Sequence, residues 1–171
     1  IAAEGVLEPE PLDDVSPGVI VGPADGGGRE PRLVAPDLDR PLGNLVDSDL
    51  TGWFVSGRHG PLWIDEGRIV ATISDRGRSR PWVFMLDADG RGTDRQPAAT
   101  GELVTHMIAA APGVIAWLGT DGTRAMELMT VAVDEGLEAE PVTRSTIGSR
   151  WQDGLAMPEM RLIQAPGPDG P

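Results

Sequence analysis

The chain has 171 residues, no cysteine and a net charge of −13, and its 14 basic residues are all arginine. Such an acidic chain repels phosphate groups, so we expect neither nucleic acid nor an anionic membrane as a partner. The hydrophobic content of 40% argues against wholesale disorder, no apolar run is long enough for a transmembrane helix, and the lack of cysteine fits a cytoplasmic protein.

Three segments share one pattern, an apolar run that ends in an acidic residue and a glycine, at 19–26, 83–90 and 129–136. Asp-Gly favours the positive φ angles that a tight hairpin turn requires, so each copy predicts two antiparallel strands. The first copy predicts an outer hairpin at 18–35 within a part-blade at 1–35. A connection at 36–59, rich in Asp, Pro and Gly, follows it.

The next two units each predict four antiparallel strands. In the unit at 60–98, strands are expected at 60–64, 68–74, 81–87 and near 94–98, with a loop at 75–79. In the unit at 101–144, strands are expected at 103–109, 114–119, 127–133 and 138–143. Units of this size with repeated turns are typical of propeller blades.

The predicted fold is therefore all-β, a partial β-propeller with two four-stranded antiparallel blades and one part-blade. A closed propeller needs about four to eight blades. Fewer blades leave apolar faces and strand edges exposed, so we expect the remaining blades to lie outside this sequence or to come from a partner. Residues 145–171 are expected to be an exit segment toward a further domain.

Several segments resemble the propeller of prolyl-oligopeptidase-type serine peptidases, in particular the acylaminoacyl-peptidase-like branch. The similar segments are 28–41, 57–69, 74–77, 82–90 and 151–170. The third reads Ser-Asp-Arg-Gly, the fourth ends in Asp-Gly, and the last contains Pro-Glu and Asp-Gly pairs that in this family mark the passage into the hydrolase domain.

The resemblance implies that this chain is a non-catalytic fragment whose propeller limits the access of peptides to a missing hydrolase domain. The parent protein is then expected to hydrolyse peptides or acyl-peptides through an acyl-enzyme, without metal or cofactor. One alternative is a stand-alone propeller-type binding module for protein or polysaccharide. Another is a small β-rich domain that completes a ring by oligomerising.

No catalytic residue is assigned, because the chain lacks the Gly-x-Ser-x-Gly elbow of such hydrolases. A triad of His59 with Asp65 or Asp75 is conceivable, but it has no supporting nucleophile. His106 is expected to be a hydrogen-bonded strand residue. Loop carboxylates without EF-hand spacing are expected to be solvated rather than to bind calcium, namely Asp37, Asp39, Asp47 and Asp49.

Five residues are candidates for gating the substrate. Arg76, Arg78 and Arg80 are expected on one loop, where they could bind a carboxylate terminus or pair with local acids. Trp53 and Trp151 lie near predicted blade junctions, where they could line a binding face or pack in the core.

Overall fold

The computed structural model describes residues 19–22, 30–44, 46, 60–101, 104–133, 139–157, 159, 161 and 163. These residues form an all-β structure with one short 3-10 turn at Arg150–Gln152. In the described part of the chain, no helix has the length and hydropathy to cross a membrane. The strands are β1 (Ile20–Val21), β2 (Arg32–Leu33), β3 (Leu62–Asp65), β4 (Arg68–Asp75), β5 (Arg78–Leu86), β6 (Gly92–Pro97), β7 (Val104–Ala111), β8 (Val114–Thr120), β9 (Glu127–Ala132) and β10 (Val142–Thr143).

Strands β3 to β6 form one antiparallel meander, and strands β7 to β10 form a second. We call them the first and the second meander. One parallel pair, Ser79 with Val104, joins them into a single sheet at the start of β5 and β7. The described strands show open sheets and no closed ring. That the meanders are propeller blades stays a prediction.

The N-terminal strands β1 and β2 form an antiparallel pair, in which Ile20 lies opposite Leu33. The predicted turn of this hairpin and its Gly26 lie outside the described residues. The backbone amide of Val34 donates to the carbonyl of Val19 at 2.7 Å, which extends the pairing by one step.

The turn between β4 and β5 is shorter than expected from the sequence. It consists of Arg76 and Gly77, which have φ angles of 50° and 74°. Two central residues with positive φ make a hairpin turn that keeps the strands in register, and Asp75 lies directly opposite Arg78. The predicted loop at 75–79 is therefore wrong, because strand pairing continues up to this two-residue turn.

The core has two layers, one on each face of the first meander. The layer between the two meanders contains Ile64, Val70, Val83, Ala98, Ala99, Ile108, Ile115, Trp117, Met129, Val131 and Val133. The layer between the first meander and the N-terminal segment contains Val19, Val34, Ala35, Ile69, Ala71, Ile73 and Phe84. Strand β4 is consequently buried on both faces from Ile69 to Ser74, as expected for a central strand covered on both sides.

Strand β9 of the second meander has a different pattern, since buried residues alternate with exposed or half-exposed ones along its length. Successive side chains of a strand point to opposite faces. One face of the second meander therefore packs against the first meander. The other, which we call the outer face, is exposed.

Candidate functional site

Several loops meet at one end of the two meanders. The turn after Asp75 and the start of β7 lie at this end, because Ser79 pairs with Val104. Val104 in turn pairs with Thr120 at the end of β8, so the connection 121–126 lies here too. We call this region the polar end, because the buried residues here include Ser74, Ser79, Thr105, His106 and Glu127.

The three candidate arginines lie at the polar end, but they do not share a loop. Arg76 is exposed in the turn, whereas Arg78 and Arg80 are half-buried strand residues of β5. Arg78 lies opposite Asp75, and Arg80 lies opposite Ile73. Both half-buried arginines make interactions within the chain. The expectation of a common loop is wrong, because the turn takes only two residues; the gating role of the arginines stays a prediction.

An ion pair fixes the connection after β2 to the polar end. Arg40 Nε donates to Asp75 Oδ1 at 2.6 Å. Backbone bonds reinforce this attachment, since Gly43 donates to the carbonyl of Thr72 at 2.8 Å and Ser74 donates to that of Pro41 at 3.1 Å. Because the Asp75 carboxylate is paired with Arg40, it is poorly suited to orient a catalytic histidine.

His106 is a buried residue of β7, and its Nδ1 lies 3.4 Å from the side-chain nitrogen of Asn44. A general base must reach the proton that it abstracts, and this imidazole is enclosed by its own chain. The geometry agrees with a structural role. His59, the other histidine, lies outside the described residues, as do Asp47, Asp49 and Trp53.

Glu127 is a buried carboxylate at the start of β9 that receives several hydrogen bonds. The backbone amide and the hydroxyl of Ser149 each donate to Oε1 at 2.6 Å, and the Ser145 hydroxyl donates to Oε2. Burial is the largest effect on its pKa and raises it, but hydrogen bonds from Ser145, Ser149 and Gly148 together hold the pKa below its usual value. The carboxylate therefore binds the segment 145–149 in its ionised form.

A second contact holds the following residues. The buried side chain of Gln152 accepts a hydrogen bond from the amide of Ala125 at 2.7 Å and points its own amide at the carbonyl of Thr123, 3.4 Å away. Trp151, its neighbour in the 3-10 turn, is 61% exposed. Trp151 is therefore not packed in the core of the described structure. A gating role for Trp151 stays a prediction.

A cavity of about 500 Å³ lies away from the polar end, between the residues after β2 and the strand β6. Arg95 and Asp37 both line it, and Arg95 donates to both carboxylate oxygens of Asp37, at 2.7 and 3.0 Å. This pair lowers the pKa of Asp37 and raises that of Arg95, chiefly through the hydrogen bonds between the two side chains. The Asp37 side chain is 73% exposed, as expected for a solvated loop carboxylate, and it also pairs with Arg95.

Among the residues that the structure describes, no three His, Cys, Asp or Glu side chains lie close enough to hold a metal ion. At the polar end, groups of the chain itself bind Asp75, Glu127 and Gln152, whereas the buried Thr105 hydroxyl has no partner among the described residues. Sequence reasoning missed Glu127 and Gln152, since a single buried Glu and Gln carry no local pattern.

In comparisons with known proteins, no family model, curated protein or solved structure matches the chain.

Proposed function

We propose that the chain is a non-catalytic part of a β-propeller in a cytoplasmic serine oligopeptidase, in which it restricts the entry of peptides to a hydrolase domain. One observation carries the structural part of this proposal. Two successive four-stranded antiparallel meanders pack face to face over a shared core of buried aliphatic and aromatic residues. Repeated stacking of such sheets is the building principle of propellers.

The peptidase part of the proposal depends on the sequence resemblance, and the site geometry is compatible with it. Acyl transfer to a serine needs a nucleophile, a base and a group that orients the base. At the polar end, Asp75 and Glu127 are both occupied by structural contacts. We therefore assign the chemistry of the parent protein to residues outside this chain.

A stand-alone binding module is the second candidate, and Trp151 favours it. A tryptophan that is held in place yet largely exposed provides a large contact area at low entropic cost. In this case, the chain binds a protein or a polysaccharide without any hydrolase partner.

Labelling with a fluorophosphonate, which reacts with activated serines, distinguishes the two candidates. The gene is read past Pro171 and its whole product is treated with the reagent. We expect one labelled serine in a Gly-x-Ser-x-Gly elbow beyond Pro171, and no label within residues 1–171. A stop codon directly after Pro171, or a labelled serine inside the chain, would refute the peptidase proposal.

A further inference from the structure

The cavity beside β6 has the size and the lining of a small-molecule site. Such sites measure about 300–1,000 Å³ and combine an apolar wall with a few polar groups that orient the ligand. The cavity has a volume of about 500 Å³, and its polar groups are Thr93, Asp94 and the pair of Asp37 with Arg95. Four apolar side chains line it as well, namely Val34, Ala35, Pro36 and Phe84.

The pair of Asp37 and Arg95 keeps unused hydrogen-bonding groups on both sides. A guanidinium carries five N–H donors, and Arg95 directs two of them at Asp37. In the described part of the chain only Asp37 accepts from this side chain, which leaves the other donors for a ligand. Each oxygen of Asp37 also has a second lone pair, and the Asp37 side chain is 73% exposed. A ligand that contacts the pair therefore needs groups that both donate and accept hydrogen bonds, as hydroxyl groups do.

Charge at the cavity selects a neutral ligand. Asp37 neutralises the guanidinium of Arg95, the nearby Asp94 adds a negative charge, and the whole chain has a net charge of −13, so an anion is repelled. Both carboxylates that line the cavity are already bound by Arg95, since its side chain binds Asp37 and its backbone amide binds Asp94. A cation that entered between them would approach the guanidinium itself, and like charges repel each other.

The strand edge that borders the cavity does not suit an added peptide strand. β6 pairs with β5, and no described strand covers its other edge. A peptide that adds to such an edge binds its free main-chain donors and acceptors. Here Asp94 Oδ1 accepts from the Arg95 amide at 2.8 Å, and Pro97 at the end of β6 has no amide hydrogen. Charged side chains and proline are features that protect edge strands from pairing, so strand addition is disfavoured.

We infer that the cavity beside β6 is a binding site for a neutral saccharide. Sugar hydroxyls bind the remaining donors of Arg95 and the second lone pairs of Asp37, and the C–H face of the sugar ring packs against the apolar wall, which includes Val34, Pro36 and Phe84. A free sugar and the end unit of a polysaccharide both present this chemistry. The inference goes beyond the proposed function and does not depend on it, since it uses no hydrolytic group.

Saturation-transfer NMR with matched sugars tests the selectivity for a neutral ligand. Glucose, galactose and mannose are each compared with the corresponding uronic acid and 2-amino sugar, which differ from the neutral sugar in one charged group. N-acetylalanine methylamide serves as a neutral peptide-like probe without hydroxyl groups. We expect saturation transfer to at least one neutral sugar and weaker transfer to its two charged counterparts. No transfer to any neutral sugar, or equal or stronger transfer to a charged counterpart or to the amide probe, overturns the inference.

Arg95→Met tests whether the sugar binds at this cavity. The substitution keeps most of the apolar length of the side chain and removes its donors. We expect the dissociation constant of the bound sugar to rise at least about tenfold. Arg91→Met is the matched control at an exposed position that does not line the cavity, and it is expected to leave the dissociation constant unchanged. Unchanged affinity in Arg95→Met that is folded by circular dichroism, or an equal loss in both variants, overturns the inference.

Asp37→Asn tests the neutralisation of Arg95, and it remains informative if Arg95→Met does not fold. The amide keeps the shape of the side chain but removes its charge, so the guanidinium is free to attract an anion. We expect the affinity for the uronic acid to rise about fivefold relative to that for the neutral sugar. Asp39→Asn is the control, because the Asp39 side chain is 98% exposed and does not line the cavity. No relative rise in Asp37→Asn, or the same rise in Asp39→Asn, contradicts the inference.

Methyl glycosides of the bound sugar distinguish the two sources of the ligand. A methyl group on the anomeric oxygen imitates the bond to the next unit of a polysaccharide. Equal affinity for the sugar and its methyl glycoside supports the inference with the end unit of a polysaccharide as the ligand. Weaker binding of the glycoside supports it with a free sugar as the ligand.

Discussion

Glu127→Gln tests how the segment 145–149 is attached to the second meander. The substitution keeps the shape of the side chain and the acceptor at Oε1, but it removes the charge. At Oε2, which accepts from Ser145, the substitution places an amide nitrogen that donates. The Ser145 hydroxyl must then act as an acceptor instead of a donor. Hydrogen bonds to a charged group contribute about 1.5–3 kcal/mol each, against about 1 kcal/mol for neutral ones.

The magnitude follows from the donors that lose the charge, which include the hydroxyl and the amide of Ser149 and the hydroxyl of Ser145. Removal of the charge also removes its burial cost, which offsets part of the loss. We therefore expect Glu127→Gln to lower the free energy of unfolding at pH 7 by about 1–3 kcal/mol. Urea denaturation followed by tryptophan fluorescence measures the difference, and Glu140→Gln at an exposed position is the control.

The pH dependence of the free energy of unfolding gives an independent test of the Glu127 contribution. The pKa of Glu127 is lowered in the folded state, so the folded chain binds the proton less readily than the unfolded chain. Its contribution to stability is present above the unfolded pKa of about 4.5 and is lost as the pH falls through the lower folded value. The difference between the native chain and Glu127→Gln should then shrink below this pH. A difference that is absent at pH 7, or constant down to pH 3, would refute the reasoning.

Three further substitutions have simple expected outcomes. In Gly92→Ala, the new Cβ would lie 2.0 Å from the Val34 carbonyl oxygen, so we expect a loss of at least about 1–3 kcal/mol by urea denaturation. Thr72→Val removes a buried hydroxyl that has no partner among the described residues and should leave stability unchanged or raise it by about 1 kcal/mol, whereas a clear loss indicates a bound water. Trp151→Ala, at an exposed position, should change the same free energy by less than about 0.5 kcal/mol, and a larger loss contradicts its exposed placement.

The antiparallel strands could be predicted from the sequence because their signals are local. Alternating or continuous apolar runs identified both meanders, and Gly90 has the positive φ of 75° that an Asp-Gly turn suggests. Arg76-Gly77 carries a similar signal, but Asp75 and Ser79 were also assigned to the loop because they are polar. Their pairing with Arg78 and Ser74 shows that polar residues continue a strand where a neighbouring strand binds their backbone.

The attachment of the exit segment could not be predicted. Glu127 is 18 residues from Ser145 and 22 from Ser149, and Gln152 is 27 residues from Ala125. Each of these residues is ordinary in its local sequence. Only the return of the chain to the start of β9 brings them together, and a single sequence carries no signal for such distant contacts.

The distribution of hydrogen-bonded polar groups indicates which surfaces are left for recognition. At the polar end, Asp121 accepts hydrogen bonds from Thr123 and Arg124, and Glu127 and Gln152 bind their own chain. These particular polar groups are bound by the chain itself. Trp151 and the outer face differ, because they expose apolar area in the part of the chain that the structure describes. Because contiguous exposed apolar area is typical of contact surfaces, substitutions that test recognition belong at these residues rather than at the polar end.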